Sequence, residues 1–305
     1  MRTSTLTTTL PAQRSPSALA RATRGFIGFV RRLAREKPLG AAGGAICLIF
    51  LLCALFADLI APYGMNQIDM SARLAPPSWK HPFGTDNLGR DMLSRCLYGA
   101  QISVIIGLTG AALATLVSVL IGLITGYLGG KVDMIAQRFV DAWMSFPDLV
   151  ILIVVVAVLG PGTWQIIATL GLLLGIGGSR IVRSAVVSVR ENMYVHAARS
   201  MGAGTPRILW QHILPNVLPP ILVLLTTRVG TVILAESGLS FLGLGVPPPA
   251  PTWGGMLSGA GRTFMFQGPW LALAPGLCLT LLVYSVNVFG DALRDLFDPR
   301  MRGTR

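Results

Sequence analysis

The chain has 305 residues, 52% of them hydrophobic and only 12% charged, with a mean hydropathy of +0.65. A soluble domain of this length carries about a quarter charged residues, so the composition excludes an ordinary globular protein and points to an all-α chain that crosses a membrane repeatedly. The net charge of +12 invites a nucleic-acid reading, but the basic residues cluster in the loops of one side, and no nucleic-acid partner is expected.

Residues 1–37 form a basic tail with eight Lys or Arg and one acid, Glu36. Residues 1–20 are rich in Ser, Thr, Pro and Ala and are expected to be disordered. The run that follows, Pro38 to Ala57, holds 20 uncharged residues. That is too long for the core of a cleavable leader, so an uncleaved first span over 38–60 is predicted, stopped by Pro62-Tyr63-Gly64.

Residues 61–99 read as an extracytoplasmic loop. Within it, 85–98 predict an amphipathic helix capped by Thr85 or Asp86, with Leu88, Met92, Leu93, Cys96 and Leu97 at three- and four-residue spacing. The core, 100–290, then holds five further spans. The second lies in the uncharged run Cys96 to Gly130. The third and fourth share a shorter stretch: only 31 uncharged residues separate Asp148 from Arg180, with Gly160-Pro161-Gly162 between them. Two spans and a turn need roughly 40 residues. Either this is a re-entrant hairpin, or the third span starts near Met134 and takes Asp141 and Asp148 into its inner half. The second reading is preferred, because intramembrane acids are tolerated against protein or a wet cavity.

Residues 185–216 form an inner loop too elaborate for a connector. Tyr194 to Met201 favour a helix of small side chains, and Gly202 can end it with a positive φ. Thr205 can cap a second helix with Pro206 at its first position, carrying Ile208, Leu209, His212 and Ile213 on one face and stopping at Leu214-Pro215. The fifth span, about Val217 to Phe241, carries Arg228 and Glu236 on one face, about 12 Å apart by helical rise. Intramembrane charges are functional candidates, so both are candidates for a translocation path, although Glu236 beside the outer loop suits a structural hydrogen-bonding role better. The outer loop from Gly243 carries Pro247-Pro248-Pro249, with Trp253 and Trp270 suited to interfacial anchoring. The sixth span runs from about Trp270 to Phe289, and 291–305 form a cytoplasmic tail.

With the N-terminus inside, nineteen Lys or Arg fall on the inner side and five outside. That asymmetry sets six helices with both ends cytoplasmic. Glycines four apart (Gly40 and Gly44; Gly122, Gly126 and Gly130; Gly171 and Gly175) suit close helix contacts, in a bundle expected to include a partner subunit. The four cysteines, Cys47, Cys53, Cys96 and Cys278, have no metal spacing, and no metal or catalytic residue is expected.

In the inner loop, Ala197-Ala198, Gly202 and the distal Leu214-Pro215 resemble the EAA loop of ABC-importer permeases. The resemblance extends to His81 through Arg95, to Glu236 through Pro248, and to Trp253-Gly254, and marks the DppC/OppC type of dipeptide and oligopeptide permease over about residues 35–300. His196 stands where that family often has a glutamate, and Glu191 is out of register. The resemblance implies a type I importer fold in the plasma membrane of a prokaryote. It implies pairing with a homologous second permease, two ATPase subunits or domains that hold ATP and Mg, and an extracytoplasmic solute-binding protein. It also implies that His196, Ala197, Ala198, Arg199, Gly202, Ala203, Leu214 and Pro215 meet an ATPase. Asp86, Arg90, Asp91 and Trp253 are candidate contacts for the binding protein.

The chain has no Gly-x-x-x-x-Gly-Lys-Ser/Thr loop, so ATP hydrolysis is expected on the partners. Peptides are the expected cargo, with nickel, glutathione or another small solute as alternatives. An ion-coupled secondary transporter would need coupling carboxylates, for which Asp141, Asp148 and Glu236 are the candidates, and inverted repeats, of which none is evident. A membrane enzyme is disfavoured because His81, His196 and His212 are scattered.

Overall fold

The computed structural model describes residues 28–297. The disorder expected over 1–20 and the last arginines, Arg300, Arg302 and Arg305, lie outside the described residues. Helix α1 (28–36) leads into α2 (Pro38–Leu55), which opens on a proline where the missing N–H has no intrahelical partner to lose. After a break at Phe56, α3 (Ala57–Ile60) completes the first span.

Helix α4 (Met92–Leu128) is one rod of 37 residues, joining the second half of the expected amphipathic helix to the second span. Its cap is Asp91, whose Oδ2 accepts from the Ser94 amide at 2.8 Å. Neither Thr85 nor Asp86 caps it. Asp86 instead folds the chain before the helix: its Oδ1 accepts from the amides of Leu88 and Arg90, at 2.8 and 3.0 Å. A short polar side chain closing its own turn competes with helix formation, which moves the start towards the C-terminus.

The third span is broken. Helices α5 (Gly130–Met144) and α6 (Asp148–Leu159) meet at 85° across Ser145-Phe146-Pro147, so the straight span from Met134 is corrected. The residue before a proline is pushed out of the helical region, and Pro147 itself offers no donor. Alone, the 12 residues of α6 rise about 18 Å, short of a ~30 Å hydrocarbon core. Asp148 is the first residue of α6, where a helix favours an acid.

Helix α7 (Thr163–Arg190) follows, then α8 (Met193–Ser200) and α9 (Thr205–Ile208). From α9 the chain continues through a π turn at Leu209–Ile213 into α10 (Leu214–Phe241). The stop expected at Pro215 is therefore corrected, because a proline in the first turn of α10 forfeits no obligatory bond. Thr205 is likewise no cap; Gly204 takes that position, with Pro206 in the first turn. After α11 (Trp253–Met256) and α12 (Arg262–Phe264), α13 (Trp270–Phe297) runs eight residues past the expected Phe289, so the C-terminal tail begins inside a helix. Among the described residues, five helices are long and apolar enough to span a membrane, six if the bent pair counts as one span.

The bundle is centred on α7, whose spanning window is 67% buried against 17% for α2. Helices α4 and α7 interlock through small residues in both directions. Gly122 and Gly126 on α4 face Val182 and Val186, while Gly171 and Gly175 on α7 face Leu113 and Val117. At each site an added Cβ would collide with the facing side chain, so backbone approach depends on glycine. On α2, Gly40 and Gly44 face Ala292 and Phe289 of α13. These pairs pack within the chain, whereas nothing lies within 4 Å of a Cβ placed on Gly130.

Candidate functional site

The inner loop is built as a rigid unit. Helix α8 ends in a left-handed cap: Gly202 has φ +81°, its amide donates to Arg199 O at 3.0 Å, and the Ala203 amide donates to Ala198 O at 3.1 Å. Those two bonds satisfy carbonyls that a helix end otherwise leaves open. One face of the loop is apolar. Val195, Ala198, Ile208, Ile213 and Val217 are buried in a single cluster with Tyr127 of α4 and Val182 and Val186 of α7. Further ties reach α4: Arg190 Nη1 donates to Gly126 O at 2.8 Å, and the Arg199 guanidinium lies 5.4 Å from the centre of the Tyr127 ring.

The residues expected to face an ATPase therefore divide. His196, Ala197, Arg199, Gly202 and Pro215 are exposed. Ala198 is 3% exposed, and Ala203 and Leu214 pack half-buried on the same cluster, so these three hold the loop to its own bundle. That is a correction, and its cause is the helical period: one of two adjacent alanines must face inward. Met193, Met201 and Trp210 point outward at 86, 81 and 70% exposure, and sequence reasoning missed them. The signal was present as large apolar residues in a polar loop. Glu191 sits 3.8 Å from His196, so an acid does stand beside the position where the related loops often carry one.

At the opposite end the expected binding-protein contacts are turned inward. Asp86, Asp91 and Trp253 are 1, 2 and 0% exposed, and Arg90 Nε donates to Asp86 Oδ2 at 2.7 Å. Asp91 also meets His81 Nδ1 at 2.9 Å. Trp253 Nε1 donates to Cys96 O at 3.1 Å, and Trp270 Nε1 to Thr85 O at 3.0 Å, and the fully buried Trp253 is no interfacial anchor. These groups knit the outer loops to α4, which corrects the docking expectation. Trp79 and Phe266 are among the large side chains left outward there, and are the most exposed of them.

Arg228 and Glu236 are not brought together. Glu236 is fully buried; its Oε1 accepts from Ser240 Oγ at 2.6 Å, and Thr252 Oγ1 donates on to Ser240 Oγ at 3.3 Å. It anchors the outer loop and does not line a path. Arg228 lines a cavity of about 580 Å³ with Trp143, Phe146 and Asp148 from the broken span and Gly177 and Arg180 from α7. Arg180 is already engaged by Asp141, and Arg183 makes a two-pronged pair with Asp133, Nε to Oδ1 at 2.5 Å. Those pairs hold α5 onto α7 and frame the cavity.

Residues 118–303 match the family model described as the binding-protein-dependent transport system inner membrane component, and 28–77 match the N-terminal transmembrane domain of oligopeptide transport permease C. The chain is 43% identical to a Brucella suis protein named as a peptide permease, over 83% of this chain and 85% of that one. It is 39% identical to the dipeptide transport system permease protein DppC of Alkalihalophilus pseudofirmus, over 88% of both chains. Among solved structures, a chain of the inward-facing MetNI methionine ABC transporter is similar in fold. Its TM-score is 0.57 at 16% identity, covering 68% of this chain and 98% of that one.

Proposed function

The chain belongs to the inner-membrane components of binding-protein-dependent transport systems, and on that footing we propose that it is the permease subunit of an ATP-driven importer of di- and oligopeptides. The observation that carries the mechanism is the inner loop: seated on α4 and α7 and continuous with α10, yet with an outer face that none of the described residues covers. A separate ATPase can move a membrane helix only through such a handle. Displacing the loop tilts α7 and α10 together, and the cavity that they line with α5 and α6 opens or closes in step.

In this reading the outward Met193, Ala197, Met201 and Trp210 enter a cleft on a cytoplasmic ATPase subunit, with His196 and Arg199 at its rim. Two ATPase subunits or domains hold ATP and Mg. A homologous second permease closes the open side of the cavity, and an extracytoplasmic binding protein delivers cargo to the outer loops near Trp79 and Phe266. Both chain ends lie in the cytoplasm, as the basic residues favour.

Reconstitution tests the whole reading. The chain is co-expressed with its partner subunits, and single cysteines at Ala197 and Met201 are cross-linked in proteoliposomes that take up a labelled dipeptide. ATP-dependent uptake with cross-links to an ATPase subunit supports the reading. Uptake of nickel or glutathione instead would change the cargo, and uptake without any ATPase would overturn the mechanism in favour of an ion-coupled carrier.

A further inference from the structure

The cavity beside Arg228 holds hydrogen-bond donors with nothing to donate to. Arg228 Nε and Trp143 Nε1 are both buried, both without a hydrogen-bond partner, and both residues line the same space. The guanidinium reaches from α10 across to α7, where an added Cβ at Gly178 would stand 3.1 Å from its Nη2. A bare α7 backbone at that point leaves the side chain room to lie there.

The charges of the cavity are unevenly committed. Arg180 is taken by Asp141. Asp148 acts on Arg228 electrostatically but makes no ion pair with it. A cation in the middle of a spanning helix is costly to hold unpaired, and a burial of that kind persists where a ligand or a wet cavity compensates it. Two unpartnered donors on residues that line one cavity call for a ligand that brings acceptor oxygens. The planar fork of an arginine matches a carboxylate, and an indole N–H matches a carbonyl.

We propose that Arg228 and Trp143 form a subsite of the translocation path that takes the carboxylate end of a passing peptide, with Asp148 receiving its ammonium end. This assignment rests on the importer reading and adds to it a residue that recognises cargo inside the membrane. A zwitterion satisfies both free charges of the cavity at once, whereas a cation or a neutral solute leaves Arg228 unmatched.

The experiment uses the full complex with its binding protein in proteoliposomes. Uptake of a free dipeptide is compared with uptake of its C-terminal amide, each at a concentration that saturates the binding protein, so delivery does not set the ratio. The wild type is expected to favour the free acid by about tenfold, the scale of one charge-assisted hydrogen-bonded contact. Arg228→Gln brings that ratio near one, and Arg228→Lys, which keeps the charge but not the fork, lowers it by roughly threefold. Trp143→Phe, which keeps the ring and removes the donor, raises KM for the free peptide. Asp148→Asn erases the preference for a free over an N-acetylated amino end.

A ratio unchanged in Arg228→Gln, or a wild type indifferent to amidation, overturns the subsite while leaving peptide import intact. A complex that moves no peptide at all refutes the importer reading itself, and the subsite with it. Should Arg228→Gln fail to assemble, the Arg228→Lys ratio decides: a value equal to wild type counts against the proposal.

Discussion

The amide of Ala203 donates to the carbonyl of Ala198 at 3.1 Å across Gly202, whose φ is +81°. Ala198 and Ala203 both belong to the buried side of the loop, so this bond joins α8 to the segment leading into α9 as one body. Nothing lies within 4 Å of a Cβ built on Gly202. A side chain there meets only the backbone cost of the left-handed region, about 1–2 kcal/mol. Gly202→Val is expected to loosen the handle, lowering solute moved per ATP hydrolysed while membrane insertion stays normal. Gly202→Asn, which tolerates that conformation, should retain most coupling. The stoichiometry in proteoliposomes checks both, and full coupling in the valine variant would remove the handle from the mechanism.

Trp253 tests the outer scaffold. It is 0% exposed, packs edge-on against Phe50 at 5.6 Å, lies against Gly99, and donates to Cys96 O. Trp253→Ala leaves a void and removes the second bond to a carbonyl that keeps its helical partner within α4, and is expected to cost about 3–5 kcal/mol. The midpoint of thermal unfolding of the purified complex measures this. Trp79→Ala, at a fully exposed site, should leave that midpoint unchanged.

Much of this architecture was legible because its signals are periodic or compositional. The spans followed from uncharged length, and the loop's glycine break from the need for positive φ at Gly202. What stayed hidden depended on which neighbour a side chain meets. Asp86 was an expected helix cap and Asp91 an expected surface contact, yet Asp86 folds a turn and Asp91 caps α4. Ala197 and Ala198 are chemically identical, and only the helix phase decides which faces out. Pro147, which separates α5 from α6, is a helix breaker that the reading of uncharged length passed over. The cavity at Arg228 needs four helices to meet, and no linear spacing encodes that.

Glu236 makes a separable prediction. It receives the hydroxyl of Ser240, which in turn receives Thr252, and Thr252 Oγ1 accepts from the Gly255 amide at 3.1 Å at the start of α11. The acid is thus the root of a relay that fixes the outer loop. Glu236→Leu strands buried hydroxyls, each costing about 1–3 kcal/mol, whereas Glu236→Gln keeps an acceptor and should be nearly neutral. Limited proteolysis from the outer side reads the difference as faster cleavage between Gly243 and Arg262 in the leucine variant. Equal cleavage in both variants would mean the loop is held by packing alone.

The Asp133–Arg183 pair decides whether α5 moves with the bundle or against it. Asp133 lies in the first turn of α5 and Arg183 on α7; their side chains are 17 and 33% exposed, so solvent screens the pair only in part. Removing either partner leaves the other partly desolvated, and a double-mutant cycle over Asp133→Ala and Arg183→Ala is expected to give a coupling of about 1–2 kcal/mol. The consequence reaches the cavity, because α5 also carries Trp143, and Asp141 on the same helix holds Arg180. Each single variant should therefore raise KM for the transported solute more than it lowers kcat. The exchanged pair, Asp133→Arg with Arg183→Asp, should recover part of the loss. Recovery would place the rigidity of α5 upstream of cargo passage. A swap no better than either single variant would mean that the broken span is positioned by its Pro147 elbow and apolar packing instead.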